Sequence, residues 1–241
     1  MAARRASQWI FAVAVLVAGA AASPAASLPV DIELVVAVDA SRSVNDDEYA
    51  LQVGGYAKAF AHPAVLRAIT GGRHRAIAVT YVQWAGPLLQ QQLIGWTLIN
   101  DRESAEEFAE RMLASPRAFR GGGTSLSGII DYGRPLFDRN GFEGERRVID
   151  ISGDGINNSG RLPQMARDDA VLQGVTINGL PILNEVPWLD DYFRDNVIGG
   201  PGAFLIAAQD YDSFAIAIRN KLIREIAGEK HWPEITERAD K

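Results

Sequence analysis

The sequence contains no cysteine among its 241 residues. This absence excludes disulfide bonds, thiolate metal sites and cysteine nucleophiles, so the stability of the fold has to come from packing. Histidine is also scarce: His62, His74 and His231 lie far apart, without a partner at metal-ligand spacing. We therefore interpret each histidine as structural or solvated, and we expect no zinc or copper site built on sulfur or imidazole ligands.

Basic residues are too few and too scattered to form a nucleic-acid surface. The chain has 24 Lys and Arg against 30 Asp and Glu, a formal net charge of −6 at pH 7, and no basic block. Binding to nucleic acid or to an anionic lipid surface depends on clustered positive charge. Neither kind of partner is therefore expected.

The N-terminal segment has no acidic residue and has the pattern of a secretory signal peptide. Arg4 and Arg5 precede an uncharged apolar run at residues 9–22, and small residues follow at 25–27. This pattern predicts cleavage near Ser27, with a retained N-terminal anchor as the alternative. It predicts a periplasmic or secreted bacterial protein without a membrane span after cleavage. The predicted divisions are a signal peptide at residues 1–27, one domain at 28–228 and a tail at 229–241.

Strand-like and helix-like segments alternate along the predicted domain. Apolar and β-branched runs predict six strands, at residues 32–38, 76–84, 89–99, 147–151, 175–180 and 203–208. Apolar residues at helical spacing and capping residues predict helices at residues 45–66, 101–114, 125–136, 162–173, 187–196 and 211–227. Only residues 85–88 separate the second strand from the third, which is too short for a parallel crossover and predicts an antiparallel hairpin.

This alternation indicates an α/β fold of the doubly wound, Rossmann-like type. Repeated strand–helix units with right-handed crossovers produce a mostly parallel sheet with helices on both faces. We therefore predict a three-layer sandwich with a six-stranded sheet, in which the strand at residues 89–99 runs antiparallel.

Polar residues follow the predicted parallel strands, where sheets of this type bind ligands. Asp39, Ser41 and Ser43 follow the first strand, and Asp154 follows the fourth; Thr124 opens a helix after a run of glycines. If the first and fourth strands are neighbours, these three loops converge. Two carboxylates and three hydroxyls form a hard oxygen donor set, which suits Mg²⁺, Mn²⁺ or Ca²⁺ better than Zn²⁺ or Cu²⁺. The sequence therefore predicts one divalent-cation site, with Mg²⁺ as the first candidate.

The same residues resemble the metal-ion-dependent adhesion site of von Willebrand factor A domains. The matching motifs are Asp39-x-Ser41-x-Ser43, Thr124 in a Gly-Gly-Thr-Ser-Leu loop, and Asp154 in a Ser-Gly-Asp-Gly turn. The resemblance extends from Val30 to Ala227. It implies that the two serines and the threonine ligate the cation directly or nearly so, with the two aspartates often reached through water. It also implies that the antiparallel strand lies at the edge of the sheet.

A later segment, residues 197–211, is similar to a group of exported proteobacterial von Willebrand A-like proteins that carries only a domain-of-unknown-function label. That similarity implies no activity. The resemblance to adhesion sites implies a non-enzymatic binding module, in which the open coordination position of the cation captures an acidic group of a protein partner. The loop before Trp188 is a candidate part of the binding rim. The identity of the partner and the oligomeric state stay open.

Two other functions are compatible with the same residues: a metal-assisted hydrolase and a domain with a purely structural cation. Hydrolysis is less expected because Asp39 and Asp154 are the only obvious acids near the ion, and both are needed to hold it. Ser125 and Ser127 have no histidine or acid arranged to activate them as nucleophiles. The glycine loop lacks the Gly-Lys-Thr/Ser ending of a nucleotide-binding P-loop.

Overall fold

The computed structural model of the protein describes residues 27–228. In this part of the chain the strands are β1 (Leu28–Val30), β2 (Ile32–Asp39), β3 (Ile77–Trp84), β4 (Gln90–Ile99), β5 (Phe142–Gly144), β6 (Arg147–Gly153) and β7 (Val175–Pro181). The helices are α1 (Asp46–Phe60), α2 (Pro63–Gly71), α3 (Arg102–Ala114), α4 (Leu126–Gly133), α5 (Pro163–Leu172), α6 (Leu189–Asn196) and α7 (Phe214–Ala227). The predicted signal peptide, apart from Ser27, and the predicted tail lie outside the described residues.

Five strands form the main sheet, in the order β4-β3-β2-β6-β7. Neighbouring strands are parallel, except that the edge strand β4 is antiparallel to β3. The short link between these two strands is a hairpin, in which the N–H of Ala85 donates to the carbonyl of Leu89 at 2.8 Å. The predicted α/β class, with a mostly parallel sheet and one antiparallel edge strand, is confirmed.

The predicted sixth strand, residues 203–208, forms only isolated bridges instead of a continuous ladder: Leu205 with Gly179 of β7, and Ala208 with Ile182 just after β7. Part of the β7 edge is taken by Gly199, which pairs antiparallel with Ile177. The N–H of Phe204 donates to the side chain of Asn178 at 2.7 Å, where a ladder would use a backbone carbonyl. The prediction of six strands was therefore wrong by one, because the edge of β7 is shared between two segments and a side chain.

Prolines shorten two of the predicted helices. The helix predicted at residues 45–66 ends at Phe60, and α2 begins at Pro63 after His62, whose Nδ1 accepts the N–H of Ala64 at 3.1 Å. The helix predicted at residues 125–136 changes after α4 into a 3-10 turn at Arg134–Phe137, which contains a proline. A small parallel sheet of β1 and β5 was not predicted.

Two apolar cores lie on opposite faces of the main sheet. Ile32, Leu34 and Val36 of β2 belong to the core beneath α1, α3 and α7. Val35 and Ala37, which alternate with them, belong to the core beneath α4, α5 and α6. Every residue of β2 is buried, as expected for a strand covered on both faces. This two-sided burial holds the register, because a slip by one residue would exchange the two faces.

The sheet order places the carboxyl ends of β2 and β6 side by side. These strands are parallel neighbours, with Val38 paired to Ser152. The loops that follow them therefore start from adjacent points at one end of the sheet. None of the helices within residues 27–228 has both the length and the apolar character needed to cross a bilayer.

Candidate metal centre

The loop after β2 folds around the carboxylate of Asp39. Its Oδ1 accepts the N–H of Ser41 at 2.8 Å, and the hydroxyls of Ser41 and Ser43 lie 3.1 Å apart. The intervening Arg42 is exposed, so the alternation places the serines inward and the arginine outward. Ser43 Oγ donates to Asp154 Oδ1 at 2.8 Å. The predicted residues after β2 and β6 thus meet at one place.

Thr124 reaches the same place from the glycine loop that precedes α4. Its N–H donates to Asn158 Oδ1 at 2.9 Å, and its carbonyl accepts the N–H of Asn158 at 2.9 Å. These bonds join the loop before α4 to the loop after β6. A Cβ on Gly155 would lie 3.4 Å from Thr124 Oγ1, and one on Gly123 would lie 2.6 Å from Asn158 Oδ1. The structure therefore places Thr124 beside Gly155, the residue that follows Asp154.

The Asp39 carboxylate is buried, and within the described residues only one of its two oxygens accepts a hydrogen bond. Its Oδ2 has no hydrogen-bond partner among residues 27–228. Burial, followed by the charge of Asp154, raises the pKa of Asp39 from 3.8 to about 8. A buried carboxylate with one orphaned oxygen, next to a second carboxylate, is a site at which a positive charge would be stabilising.

The donor set fits a hard divalent cation. Three hydroxyls and two carboxylates offer oxygen only, and both carboxylates are buried. Two negative charges match one divalent cation, which would relieve the repulsion between Asp39 and Asp154. Nothing in this set requires sulfur or imidazole.

Tyr211 belongs to the same cluster and was not predicted as a site residue. Its hydroxyl donates to Asp154 Oδ2 at 3.0 Å, and the ring is buried. Burial, followed by the nearby charge of Asp154, raises the pKa of Tyr211 well above its usual value, so the hydroxyl keeps its proton. With Ser43 on Oδ1 and Tyr211 on Oδ2, the Asp154 carboxylate is held in one orientation.

Arg117 is a second residue that was not predicted. Its guanidinium donates to three backbone carbonyls of the loop after β2, those of Ala40, Ser41 and Val44, at 3.3, 3.2 and 2.6 Å. It also pairs with Asp46 at 2.8 Å, and its side chain is only 6% exposed. Because Arg117 lies in the segment that leads to Thr124, it ties two of the three loops together.

The rim of the site is acidic and apolar. Burial and the charges of Asp154 and Glu48 raise the pKa of Glu185, so these carboxylates are close enough to interact. Leu88 in the β3–β4 hairpin is 93% exposed, and its neighbour Leu89 lies against the glycine loop before Thr124. Trp188 is 53% exposed and packs on Tyr192, whose hydroxyl accepts the N–H of Asn157 in the loop after β6. The expectation that Asp39 and Asp154 are the only acids near the site therefore needs a correction, since Glu48 and Glu185 lie in its surroundings.

Comparison with known proteins shows which families and folds the chain is similar to. The sequence matches a family model described as "Protein of unknown function (DUF1194)" over residues 29–230. No curated protein sequence matches the chain. Proximal thread matrix protein 1 (PTMP1) from the mussel byssus has a TM-score of 0.62 and 15% identity, over 83% of this chain and 49% of that chain. Another PTMP1 structure, described as having a zinc-occupied MIDAS motif, has a TM-score of 0.58 and 14% identity, over 83% of this chain and 49% of that chain.

A bacterial domain is similar as well. The vWF domain of the type V pili tip protein Mfa5 from Porphyromonas gingivalis has a TM-score of 0.58 and 11% identity, over 89% of this chain and 100% of that chain. The chain spans about half the length of the PTMP1 structures. At these identities the likeness shows the von Willebrand factor A-like fold alone.

Proposed function

The chain belongs to the DUF1194 family and has a von Willebrand factor A-like fold, and we propose that it is a metal-dependent adhesion module that binds a protein partner. The observation that supports this most is a chain of hydrogen bonds that links Asp39, Ser41, Ser43 and Asp154, with Thr124 beside Gly155. Within residues 27–228, Oδ2 of the buried Asp39 carboxylate has no partner. One similar structure, of PTMP1, is described as having a zinc-occupied MIDAS motif, and another is the vWF domain of the pili tip protein Mfa5. These descriptions are consistent with metal binding and with adhesion.

In this proposal Ser41, Ser43 and Thr124 hold the cation directly, and Asp39 and Asp154 hold it directly or through water. The cation supplies an open coordination position for an acidic oxygen of the partner. Mg²⁺ is the proposed ion because the donors are all hard oxygens. The zinc-occupied motif described for PTMP1 makes Zn²⁺ a necessary comparison.

The proposed partner surface combines an acidic residue with apolar neighbours. The acidic residue is the ligand for the cation, and the neighbours contact the exposed side chains of Leu88 and Trp188. Burial of such apolar residues provides binding energy, while Arg42, which is exposed between the two serines, selects partners by charge.

Export is part of the proposal. A signal peptide at residues 1–27 would deliver a domain at residues 28–228 to the periplasm or the cell exterior, where an adhesion module meets its partners. The mass and N-terminal sequence of the protein recovered from the periplasm test this directly. A mature N-terminus near residue 28 is expected, and recovery of the uncleaved chain from the membrane fraction would contradict it.

Metal binding is tested by calorimetric titration of Mg²⁺, Mn²⁺, Ca²⁺ and Zn²⁺ into metal-free protein. A ligand that binds only the folded state stabilises it by about 2.7 kcal/mol when its free concentration is a hundredfold above Kd. We expect one site per chain and a rise in Tm for the wild type. Both effects should be much smaller in Asp39→Ala. Equal effects in both proteins would show that the metal binds elsewhere.

Partner binding is tested by capture from periplasmic extract in Mg²⁺ and in EDTA, followed by titration of the purified partner. Affinity that falls with EDTA and with Thr124→Ala supports the proposal. Affinity unchanged by both shows that the partner docks elsewhere and that any cation is structural.

The enzymatic alternative is tested by assaying the hydrolysis of generic phosphoesters. Glu185 is the candidate general base, because it is a carboxylate near the site with a raised pKa. Metal-dependent turnover lost in Glu185→Gln would favour a hydrolase.

A further inference from the structure

A cavity of about 840 Å³ lies at the amino-terminal end of the main sheet, opposite the candidate metal centre. Its walls include the starts of β6 and β7 and the ends of α2 and α7. This volume is in the range of pockets that bind small molecules, roughly 300–1,000 Å³. The adhesion site proposed above makes no use of this end of the molecule.

Arginine is the main charged residue of the cavity. Five arginines line it against three acids, although the chain as a whole carries a net charge of −6. The arginines are Arg67, Arg73, Arg146, Arg147 and Arg224. A concave positive region in an acidic protein concentrates anions, because the surrounding low-dielectric walls focus its field.

The three acids of the cavity are already bonded within the protein. Asp31 accepts backbone N–H groups of residues 74 and 76, at 2.8 and 3.4 Å. Glu145 pairs with Arg73 at 3.2 Å. Glu225 is buried and accepts a hydrogen bond from Lys221 at 2.9 Å. These bonds hold the three acids in place, and five arginines against three acids leave the cavity with an excess of positive charge.

Two of the arginines are available for a ligand. Arg146 donates to the last carbonyls of α7, and Arg147 lies 3.6 Å from Glu33, so both have partners. Arg224 packs on the ring of Phe204, with its guanidinium carbon 4.1 Å from the ring centroid. Within residues 27–228, neither Arg67 nor Arg224 forms an ion pair with a carboxylate. Stacking on an aromatic ring orients a guanidinium and leaves its N–H edge free to donate.

We propose that this cavity binds a small organic anion through Arg67 and Arg224. The recognised group is an oxyanion, a carboxylate or a phosphate, because the planar guanidinium fork matches two such oxygens. The cavity is much larger than an inorganic anion, so the ligand carries further atoms along the apolar wall around Phe204 and Ile226.

Calorimetric titration of the purified, metal-free chain with citrate and with pyrophosphate tests the proposal, at constant ionic strength. Both probes chelate metal ions, and chelation would release or absorb heat of its own. Metal is therefore removed beforehand, so that the measured heat comes from binding to the protein. Saturable binding of citrate alone identifies a carboxylate ligand, and saturable binding of pyrophosphate alone identifies a phosphate ligand. We expect Arg67→Ala and Arg224→Ala each to weaken binding at least tenfold.

Matched controls separate this site from general charge effects and from the metal centre. Arg194→Ala removes an exposed arginine of α6 that does not line the cavity, and it should leave the affinity unchanged. Asp39→Ala should also leave anion binding unchanged, because Asp39 lies at the carboxyl end of β2 and the cavity lies at the amino-terminal end of the sheet. Arg67 is exposed, so its variant stays informative if Arg224→Ala fails to fold. Absence of saturable heat with both anions into the millimolar range, or equal affinity in Arg67→Ala and wild type, overturns the proposal.

Discussion

The hydroxyl of Tyr211 donates a 3.0 Å hydrogen bond to Oδ2 of Asp154, whose Oδ1 accepts the hydroxyl of Ser43. A carboxylate held at both oxygens has one orientation, and such a partner outside the ligand shell tunes the affinity of a metal site. Tyr211 is therefore expected to act on the candidate metal centre as a positioning residue.

Tyr211→Phe should weaken metal binding while preserving the fold. Loss of an outer partner of a metal ligand typically costs about 10- to 100-fold in affinity. Titration of Mg²⁺ or Mn²⁺ into wild type and variant measures the change. Tyr132→Phe is the matched control, because it removes a hydroxyl that accepts the N–H of Gln92 at 3.2 Å on another part of the sheet. The same loss of affinity in both variants, or in neither, would contradict a role for Tyr211 in the site.

The sequence predicts much of this arrangement because the signals are local. A buried strand has a continuous apolar run, the hairpin follows from the length of one link, and the five metal-site candidates follow strand ends or open a helix. Tyr211 lies 57 residues beyond Asp154, and only the packed structure brings the two together. Arg117 likewise contacts carbonyls more than 70 residues earlier in the chain.

The sequence also does not predict which charged residues are buried and paired with one another. Lys221 is fully buried on α7, where it lies 2.6 Å from Asp150 and 2.9 Å from Glu225. A lysine on a helix is usually solvated, and no sequence pattern distinguishes this one. Burial raises the pKa of Asp150 to about 6, although the charge of Lys221 opposes that effect. Pairings of this kind depend on which helix face meets which strand, and local sequence does not determine that.

The stability of the metal-free protein should fall as the pH rises from about 4 to about 8 through the ionisation of Asp39. Folding raises the pKa of Asp39 from 3.8 to about 8, so the folded state binds a proton that the unfolded state releases. This contribution is fully present below the unfolded pKa and is lost as the pH passes through the folded pKa. Denaturant unfolding between pH 5 and 9 measures the slope.

Asp39→Asn supplies the comparison, since all other titrating groups stay the same. Its unfolding free energy should depend less steeply on pH than that of the wild type. Metal should bind the wild type more tightly as the pH approaches 8, because the cation replaces the proton. Parallel pH profiles for the two proteins would mean that Asp39 is already ionised in the metal-free fold.

Arg117→Lys should weaken metal binding even though it preserves the positive charge. A lysine cannot bond the carbonyls of Ala40, Ser41 and Val44 together with Asp46 in the fork geometry of a guanidinium. The loop after β2 would then lose its anchor, and we expect about a tenfold loss of affinity. The unfolding free energy should fall by about 1–3 kcal/mol, the cost of buried carbonyls without donors.

Arg146→Lys is the control for Arg117. Arg146 also donates to two carbonyls, those of Glu225 and Ile226, at the opposite end of the sheet. Its variant should lose stability to a similar extent without any change in metal affinity. If metal affinity falls equally in both variants, the effect is general destabilisation, and Arg117 has no special part in the site.

Leu88→Ser should weaken partner binding without affecting the metal. Leu88 is 93% exposed at the tip of the β3–β4 hairpin, and Leu89 in the same hairpin lies against the glycine loop that leads to Thr124. Only a minority of interface residues cost more than about 1 kcal/mol when truncated, and a loss of that size for Leu88 would be a roughly fivefold or greater fall in affinity. Leu172→Ser changes a leucine that is 85% exposed at the end of α5, at the other end of the sheet, and should have no effect. The two variants are compared by titration with the captured partner in Mg²⁺. If both lose affinity equally, or neither does, the partner does not contact this rim, and the hairpin is exposed for another reason.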